Sequence, residues 1–275
     1  MKRLPAIALT ALVSAAAAGP AHAESDPAAR ALIEQVSHAS GTYECLQGLV
    51  DVEYTYTYRD NRKGTTDVST ERYLFDGELS WAEYTTHESP LPVVSGGTEG
   101  TLVQGWDGDA AWVTVGGERV TDESAVARAF FQRKTNFYWF AMMQKLMDPG
   151  TIHKSKGQAE YNGTTYDLIE LTFDVPEGVA ADTYVLYVNP ETKLVDLFLF
   201  TVVDFGVVDE PLLMEVAYET FGPDDAPVKL PVTRRYTAST WAGEVADDAV
   251  WVDEIMTDLS FGHGFTPADF TAPGS

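Results

Sequence analysis

Residues 50–59 alternate hydrophobic and polar side chains. A period of two is typical of a β-strand with one buried and one solvated face. The pattern predicts that Val52, Tyr54 and Tyr56 face inward, since a shift of one residue would expose the whole apolar set. The residues expected to face outward into solvent are Asp51, Glu53 and Thr55.

Hydrophobic segments of strand length recur along most of the remaining chain. Turn sequences such as Asp76-Gly77 and Asn162-Gly163 separate them, and short turns connect antiparallel neighbours. The clearest segments are 50–59, 68–75, 79–84, 111–115, 169–173, 184–188, 194–203, 212–221, 232–238 and 250–259. We expect about ten or eleven strands, in one large antiparallel sheet.

Two segments lack this alternation and are expected to be helical. Residues 28–38 place apolar side chains near one face, as a short N-terminal helix does. Residues 124–147 follow the capping residue Asp122 and are apolar on almost all sides. They are expected to form one helix, or two helices with a break near Asn136. Such a helix is normally enclosed, so we expect it to pack against the concave face of the sheet. The side chains expected along its inner side are Phe137, Phe140, Met143 and Met147.

The first 23 residues have the pattern of a secretory signal peptide. Lys2 and Arg3 precede a largely apolar stretch, and Ala21-His22-Ala23 forms a cleavage site. We expect cleavage after Ala23 and a single domain over residues 24–275. No later segment is apolar for long enough to predict a transmembrane helix. These features indicate an exported protein of a Gram-negative bacterium, either periplasmic or secreted.

The composition excludes several classes of protein. The chain has 18 Lys and Arg against 42 Asp and Glu, which gives a net charge of -24. Nucleic-acid binding requires the opposite balance. The single cysteine, Cys45, cannot form a disulfide within the chain. The acidic residues are spread along the sequence. They are expected to form either a solvated surface that favours solubility or a docking surface for a basic partner.

The sequence contains no recognisable catalytic motif, and we expect a protein that is not an enzyme. The four histidines beyond the leader lack the spacing of a zinc site, and no nucleophile elbow, phosphate-binding loop or dinucleotide fingerprint is present. No metal or cofactor is therefore expected.

Apolar and aromatic side chains are abundant on the predicted sheet and central helix. They are consistent with one packed core, and equally with a slot between sheet and helix for an apolar ligand. Methionine-rich surfaces adapt to flexible ligands. The residues expected to line such a slot are Tyr54, Tyr56, Phe137, Phe140, Met143, Met147 and Phe173.

The order of several sequence phrases resembles a known superfamily. These phrases are Arg72-Tyr73-Leu74-Phe75-Asp76-Gly77, Gly105-Trp106-Asp107-Gly108, Asn136-Phe137-Tyr138-Trp139-Phe140, Asp148-Pro149-Gly150, Tyr187-Val188-Asn189-Pro190-Glu191-Thr192 and Leu230-Pro231-Val232. The layout resembles the LolA/LolB-like superfamily of periplasmic lipoprotein-sorting carriers and related periplasmic proteins. The resemblance implies a mainly β (α+β) fold, in which an unclosed half-barrel of antiparallel strands has helices plugging its concave face.

The same resemblance implies an apolar cavity that holds lipid or the acyl chains of a lipoprotein. The leading hypothesis is therefore a periplasmic carrier whose partner is a lipid or an acylated protein. A second hypothesis is a non-enzymatic assembly or structural protein of the cell envelope that docks another protein. A third is a secreted enzyme with an unrecognised site.

Overall fold

The computed structural model describes residues 24–88, 100–176, 179–203 and 206–274. The predicted signal peptide, residues 1–23, lies outside them. The strands in these ranges form one antiparallel sheet of thirteen members. In chain order they are β1 Asp51–Asp60, β2 Thr65–Leu74, β3 Leu79–His87, β4 Leu102–Trp106, β5 Ala111–Val115, β6 Glu118–Arg119, β7 Thr151–Tyr161, β8 Thr164–Phe173, β9 Tyr184–Val188, β10 Val195–Val202, β11 Val207–Phe221, β12 Val228–Ala238 and β13 Val252–Phe261.

The sheet is a meander whose first and last strands pair with each other. Its spatial order is β6-β5-β4-β3-β2-β1-β13-β12-β11-β10-β9-β8-β7, so β6 and β7 are the two edges and the sheet does not close. Short hairpins connect most neighbours, which is why the pairing is antiparallel throughout. The predicted fold class, an unclosed antiparallel sheet with a short N-terminal helix and a central helix, is confirmed.

Within the described ranges, three α-helices accompany the sheet: α1 Pro27–Ser40, α2 Tyr43–Gly48 and α3 Glu123–Lys145. The central helix α3 is continuous through Asn136, which decides between the two forms that the sequence allowed. A 3-10 helix, Pro267–Phe270, lies near the C-terminus. Among the described residues, no helix combines the length and hydrophobicity needed to span a membrane.

The register predicted for β1 is confirmed on its inner face. Val52 and Tyr54 are buried, and the half-buried Tyr56 packs beside them. The expectation that Asp51 is solvated is wrong, because its side chain is fully buried beneath the C-terminal segment. Its carboxylate accepts hydrogen bonds from the backbone N–H groups of His263, Gly264 and Phe265 at 2.8–2.9 Å.

The structure has more strands than the pattern predicted. The strands β4, β6 and β7 and the helix α2 were not expected from the sequence. Most side chains of β7 from Lys154 onward are exposed, so this edge strand lacks a hydrophobic alternation. The strand β6 and the helix α2 contain two and six residues, too few for a periodic signal.

The C-terminal segment covers part of the convex face. Phe270 packs with Leu74 and Leu79, and its carbonyl accepts a hydrogen bond of 2.8 Å from the indole of Trp112. That indole lies flat over Gly105 of the neighbouring strand, where a Cβ atom would come within 2.2 Å of the ring. A side chain at position 105 would therefore displace Trp112, which makes glycine a structural requirement there.

Candidate functional site

The helix α3 crosses the concave face of the sheet. It connects the edge strands β6 and β7, and its N-cap residue Asp122 accepts a hydrogen bond from the backbone of Ala125. Ala129 near its start packs on β4 and β5, whereas Met142, near its end, packs with residues of β8 to β11. Because one helix touches both halves of the sheet, the sheet must curve around it.

The middle of α3 packs into a group of rings that we call the aromatic cluster. Phe140 lies 5.4 Å from Tyr54 and 5.2 Å from Tyr73, measured between ring centroids. Phe137 lies 5.3 Å from Tyr73, and Phe75 lies 6.0 Å from Phe140. All five side chains are almost completely buried. Edge-to-face and offset stacked rings at these distances attract each other beyond the hydrophobic effect.

The C-terminal end of α3 packs into a second group that we call the methionine cluster. It contains Met142, Met143, Leu146, Met147, Trp139, Ile33, Val36, Ile169, Leu171, Phe173, Tyr184, Leu186, Phe198, Phe200 and Met214. Trp139 stacks on Phe198 with ring centroids 5.6 Å apart. The helix α1 contributes two of these residues and covers this end of the concave face. Flexible, unbranched methionine side chains fill irregular space between the rings.

The seven residues predicted to line a slot all lie at the interface between α3 and the sheet, but in two clusters. Tyr54, Tyr56, Phe137 and Phe140 belong to or border the aromatic cluster. Met143, Met147 and Phe173 belong to the methionine cluster. Tyr54, Phe137, Phe140 and Met143 are at most 3% exposed, so the protein's own side chains fill the centre of the interface.

A buried ion pair, which the sequence pattern did not predict, lies within the aromatic half of the interface. The guanidinium of Arg133 on α3 binds both carboxylate oxygens of Glu71 on β2, one of them at 3.2 Å, and neither side chain is exposed. Glu71 also accepts hydrogen bonds from Ser69 at 2.9 Å and Tyr73 at 3.2 Å. Burial opposes the charge of Arg133, but the attraction of Glu71 outweighs it and raises the arginine pKa.

The signal for this pair is present in the sequence, although it is weak. Glu71 stands two residues before Tyr73 on a strand, so the two side chains share the inner face. Arg133 stands four residues before Phe137 on a helix, so those side chains share one side. Each charged residue in isolation is typical of a solvated surface, and only the pairing across 62 positions makes burial favourable.

A second buried pair holds α3 near the methionine cluster. Arg234 on β12 binds the carboxylate of Glu254 on β13 at 2.7 and 2.8 Å. The same guanidinium donates a hydrogen bond of 2.7 Å to the backbone carbonyl of Trp139. Burial disfavours the charge of Arg234, yet Glu254 raises its pKa. The pair therefore connects the sheet to the helix backbone by charge-assisted hydrogen bonds.

Three half-buried tyrosines form a group that we call the tyrosine rim: Tyr56, Tyr58 and Tyr236. Tyr56 packs against the aromatic cluster and Tyr236 against the methionine cluster. The hydroxyl groups of Tyr58 and Tyr236 lie 2.7 Å apart, within hydrogen-bond distance. Desolvation raises the pKa of each of the three tyrosines, so their hydroxyl groups remain protonated and able to donate. The rim is therefore a polar, uncharged group of side chains beside the two apolar clusters.

The two clefts that stand out on the described surface lie away from this interface. One, of about 370 Å³, lies at the turns around Thr164 and Pro190. The other, of about 330 Å³, lies on the convex face between Leu168, Val185 and the exposed Trp241. Because buried side chains such as Phe140 and Met143 fill the centre of the interface, a ligand between α3 and the sheet would require the interface to repack or the helix to move.

Comparison with family models finds no match, and comparison with curated proteins finds none either. Solved structures with similar folds exist at low identity. A DUF1329 family protein from Desulfovibrio piger is 13% identical, with 90% of this chain and 98% of that chain covered and a TM-score of 0.51. A domain from Vibrio parahaemolyticus, described as an outer membrane lipoprotein-sorting protein, is 11% identical over 87% of this chain and 94% of that one, with a TM-score of 0.48.

A LolA superfamily protein from Nitrosomonas europaea is 13% identical, with 88% of this chain and 97% of that chain covered and a TM-score of 0.46. Identities this low bear on the fold alone. Of these three, the DUF1329 family protein has a TM-score above 0.5 and carries the comparison. The fold that the sequence resemblance implied, an open antiparallel sheet wrapped around a central helix, is confirmed, and the DUF1329 family protein shares it.

Proposed function

We propose that this protein binds an apolar ligand, a lipid or the acyl chains of a lipoprotein, between α3 and the concave face of the sheet. The observation that carries the proposal is the position of α3. This one helix connects the two unpaired edges of the sheet and covers two adjoining apolar clusters, one of them rich in methionine. Displacing the helix or repacking the methionine cluster would open apolar surface on both sides of a single slot.

The energetics permit such a ligand. Burying an acyl chain contributes about 0.8 kcal/mol per methylene group, so a 16-carbon chain contributes roughly 12 kcal/mol before costs. Ordering the chain and opening the interface oppose this gain by at least several kcal/mol. Methionine side chains change rotamer at small cost, and Met143 and Met147 are the residues that we expect to make room.

We propose a binding protein rather than an enzyme. The buried charged groups of the interface are engaged with each other, as Glu71 is with Arg133 and Glu254 with Arg234. Such pairs fix the position of a helix and do not offer a free acid or base to a substrate.

We also propose that the chain is exported to the periplasm and cleaved after Ala23. Ser25 and Asp26, the second and third residues after the expected cleavage site, contact the edge strand β7. Asp26 donates its backbone N–H to the carbonyl of His153 on β7 at 2.8 Å, and Ser25 accepts from the backbone of His153 at 3.0 Å. The expected N-terminus, Glu24, would immediately precede these contacts. N-terminal sequencing of the exported protein tests the site, and an intact Met1 in that product would contradict it.

Titration of delipidated protein with fluorescent C16 acyl probes, one neutral and one anionic, tests the binding proposal. We expect saturable binding of at least one probe. Met143→Gln and Met147→Gln should both weaken it by at least about fivefold, because each places an amide among apolar side chains. Met147 is half buried, so the Met147→Gln variant still tests the proposal if the Met143→Gln variant does not fold. Val208→Gln, at an exposed position of β11, is the matched control and should bind like the wild type.

A second candidate function is docking of another envelope protein. It is favoured by the edge strand β7, whose residues Lys154–Gln158 are exposed, and by the adjacent cleft beside Trp241, which is 43% exposed. Unpaired edge strands accept additional strands. Absence of binding by both acyl probes, with the protein folded, would rule out the carrier and leave this second candidate.

A further inference from the structure

The tyrosine rim is the polar border of the proposed ligand site. Tyr236 contacts the methionine cluster through Phe200, with ring centroids 6.2 Å apart, and Tyr56 packs against the aromatic cluster. These rim residues and the nearby Trp139 are half buried, so solvent reaches the interface there. A ligand whose chain lies between the clusters would leave its polar end beside the hydroxyl groups of the rim.

The positive charges around the rim are already matched by carboxylates. Arg234, the nearest buried cation, binds Glu254. Arg62 lies over the ring of Tyr236, and it binds Asp60 through hydrogen bonds of 2.9 Å to both carboxylate oxygens. Lys63 lies 3.3 Å from the same carboxylate. An anionic group entering here would meet cations that are neutralised and carboxylates that repel it.

The remaining recognition groups at the rim are hydroxyl groups. Those of Tyr58 and Tyr236 share one hydrogen bond of 2.7 Å, which leaves acceptor sites and one donor for a ligand. The net charge of the chain, -24, opposes an anionic ligand at longer range as well. Arg128 of α3 lies near Tyr84 on β3, two strands away from β1 and therefore from Tyr58.

We infer that the ligand is an acyl chain with an uncharged hydroxyl- or ester-bearing head group, which the hydroxyl groups of Tyr58 and Tyr236 bind, and that anionic lipids are disfavoured. This inference rests on the proposed function and specifies the class of ligand. It assigns a role to Tyr58 and Tyr236, which the sequence pattern identified only as strand residues.

Displacement of a bound fluorescent acyl probe by two ligands with the same C16 chain tests the inference. The ligands are monopalmitoylglycerol, which is neutral, and palmitate, which is anionic at neutral pH. We expect monopalmitoylglycerol to bind at least roughly tenfold more tightly. The double variant Tyr58→Phe/Tyr236→Phe keeps both rings and should reduce this preference to about threefold or less, because it removes the hydroxyl groups. Tyr166→Phe removes a hydroxyl that binds Asp196 on the opposite face and should leave the preference unchanged.

Each other outcome has a distinct meaning. Equal or tighter binding of palmitate overturns the inference and leaves the proposed function standing. If Arg128→Ala then removes a preference for palmitate, the head group lies beside Arg128 and not at the rim. A preference for monopalmitoylglycerol that survives the double variant also places the head group elsewhere and overturns the assignment to the rim. Failure of all C16 ligands to bind overturns the inference and the proposed function together.

Discussion

The two halves of the interface under α3 contain different kinds of side chains. In the aromatic half, closely spaced rings surround the buried pair of Arg133 and Glu71. In the methionine half, Met142, Met143 and Leu146 fill space among rings, and Arg234 of the sheet reaches the helix through the backbone carbonyl of Trp139. The rings of the aromatic half enclose a buried charged side chain of the helix, whereas the helix side chains within the methionine cluster are apolar and tolerate rearrangement.

This difference indicates where a ligand could enter. Moving the helix at Arg133 would strand a buried charge, which costs several kcal/mol. A change of rotamer at Met143, by contrast, would exchange one set of apolar contacts for another. We therefore expect the aromatic half to act as the anchor of α3 and the side chains of the methionine half to rearrange when a ligand binds.

The largest effect is expected at the anchor. Glu71→Ala leaves Arg133 buried without its carboxylate and should lower the free energy of unfolding by about 3–5 kcal/mol. Chemical denaturation measures the change. The matched control is Glu53→Ala, which removes a partly exposed ion pair with Arg72 on the convex face and should cost about 1 kcal/mol or less. Similar losses for both variants would mean that the buried pair does not anchor the helix.

Truncation of the central ring tests the packing of the aromatic half. Phe140→Ala should lower the free energy of unfolding by about 3–5 kcal/mol, because Phe140 is 1% exposed and contacts three other rings. The same denaturation experiment measures it. A loss below about 1 kcal/mol would show that this half, too, can repack around missing volume.

A volume-conserving change tests whether the methionine half is adaptable. Met143→Leu should change the free energy of unfolding by less than about 1.5 kcal/mol, since leucine occupies similar volume. The branched side chain is less flexible, so we expect weaker uptake of the acyl probes despite nearly unchanged stability. Thermal melts and probe titration on the same samples separate the two effects. Unchanged binding would argue against rearrangement at Met143.

The smallest effect is a dependence on pH in the methionine half. His153 on β7 is fully buried, and its Nε2 lies 2.8 Å from the carbonyl oxygen of Leu146 just after α3. Burial lowers the pKa of His153 below its usual 6.5. The folded protein therefore resists protonation more than the unfolded chain does, so stability should fall as the pH falls below about 6.5. Denaturation at pH 7.5 and 5.5 measures this loss, and His153→Gln should make it smaller.

The sequence predicted most of the sheet because its strands have a strong pattern. The strand 111–115 and the strand 184–188 lie where the alternation and turns placed them. The edge strand β7 was not predicted, because a strand with few buried side chains has no hydrophobic alternation in its sequence. The candidate site was predicted as a set of apolar residues, and its charged members were not.

The sequence by itself determined the alternation that turns Val52 and Tyr54 inward, the apolar run 137–143 of α3 and the turns that make the sheet antiparallel. These properties are local, because each depends on residues within a few positions of one another. Only the tertiary structure decided that Glu71 meets Arg133, that Arg234 reaches the carbonyl of Trp139 and that Asp51 is covered by the C-terminal segment. Charged groups are buried only where a distant partner compensates the loss of water, and no local pattern specifies that partner.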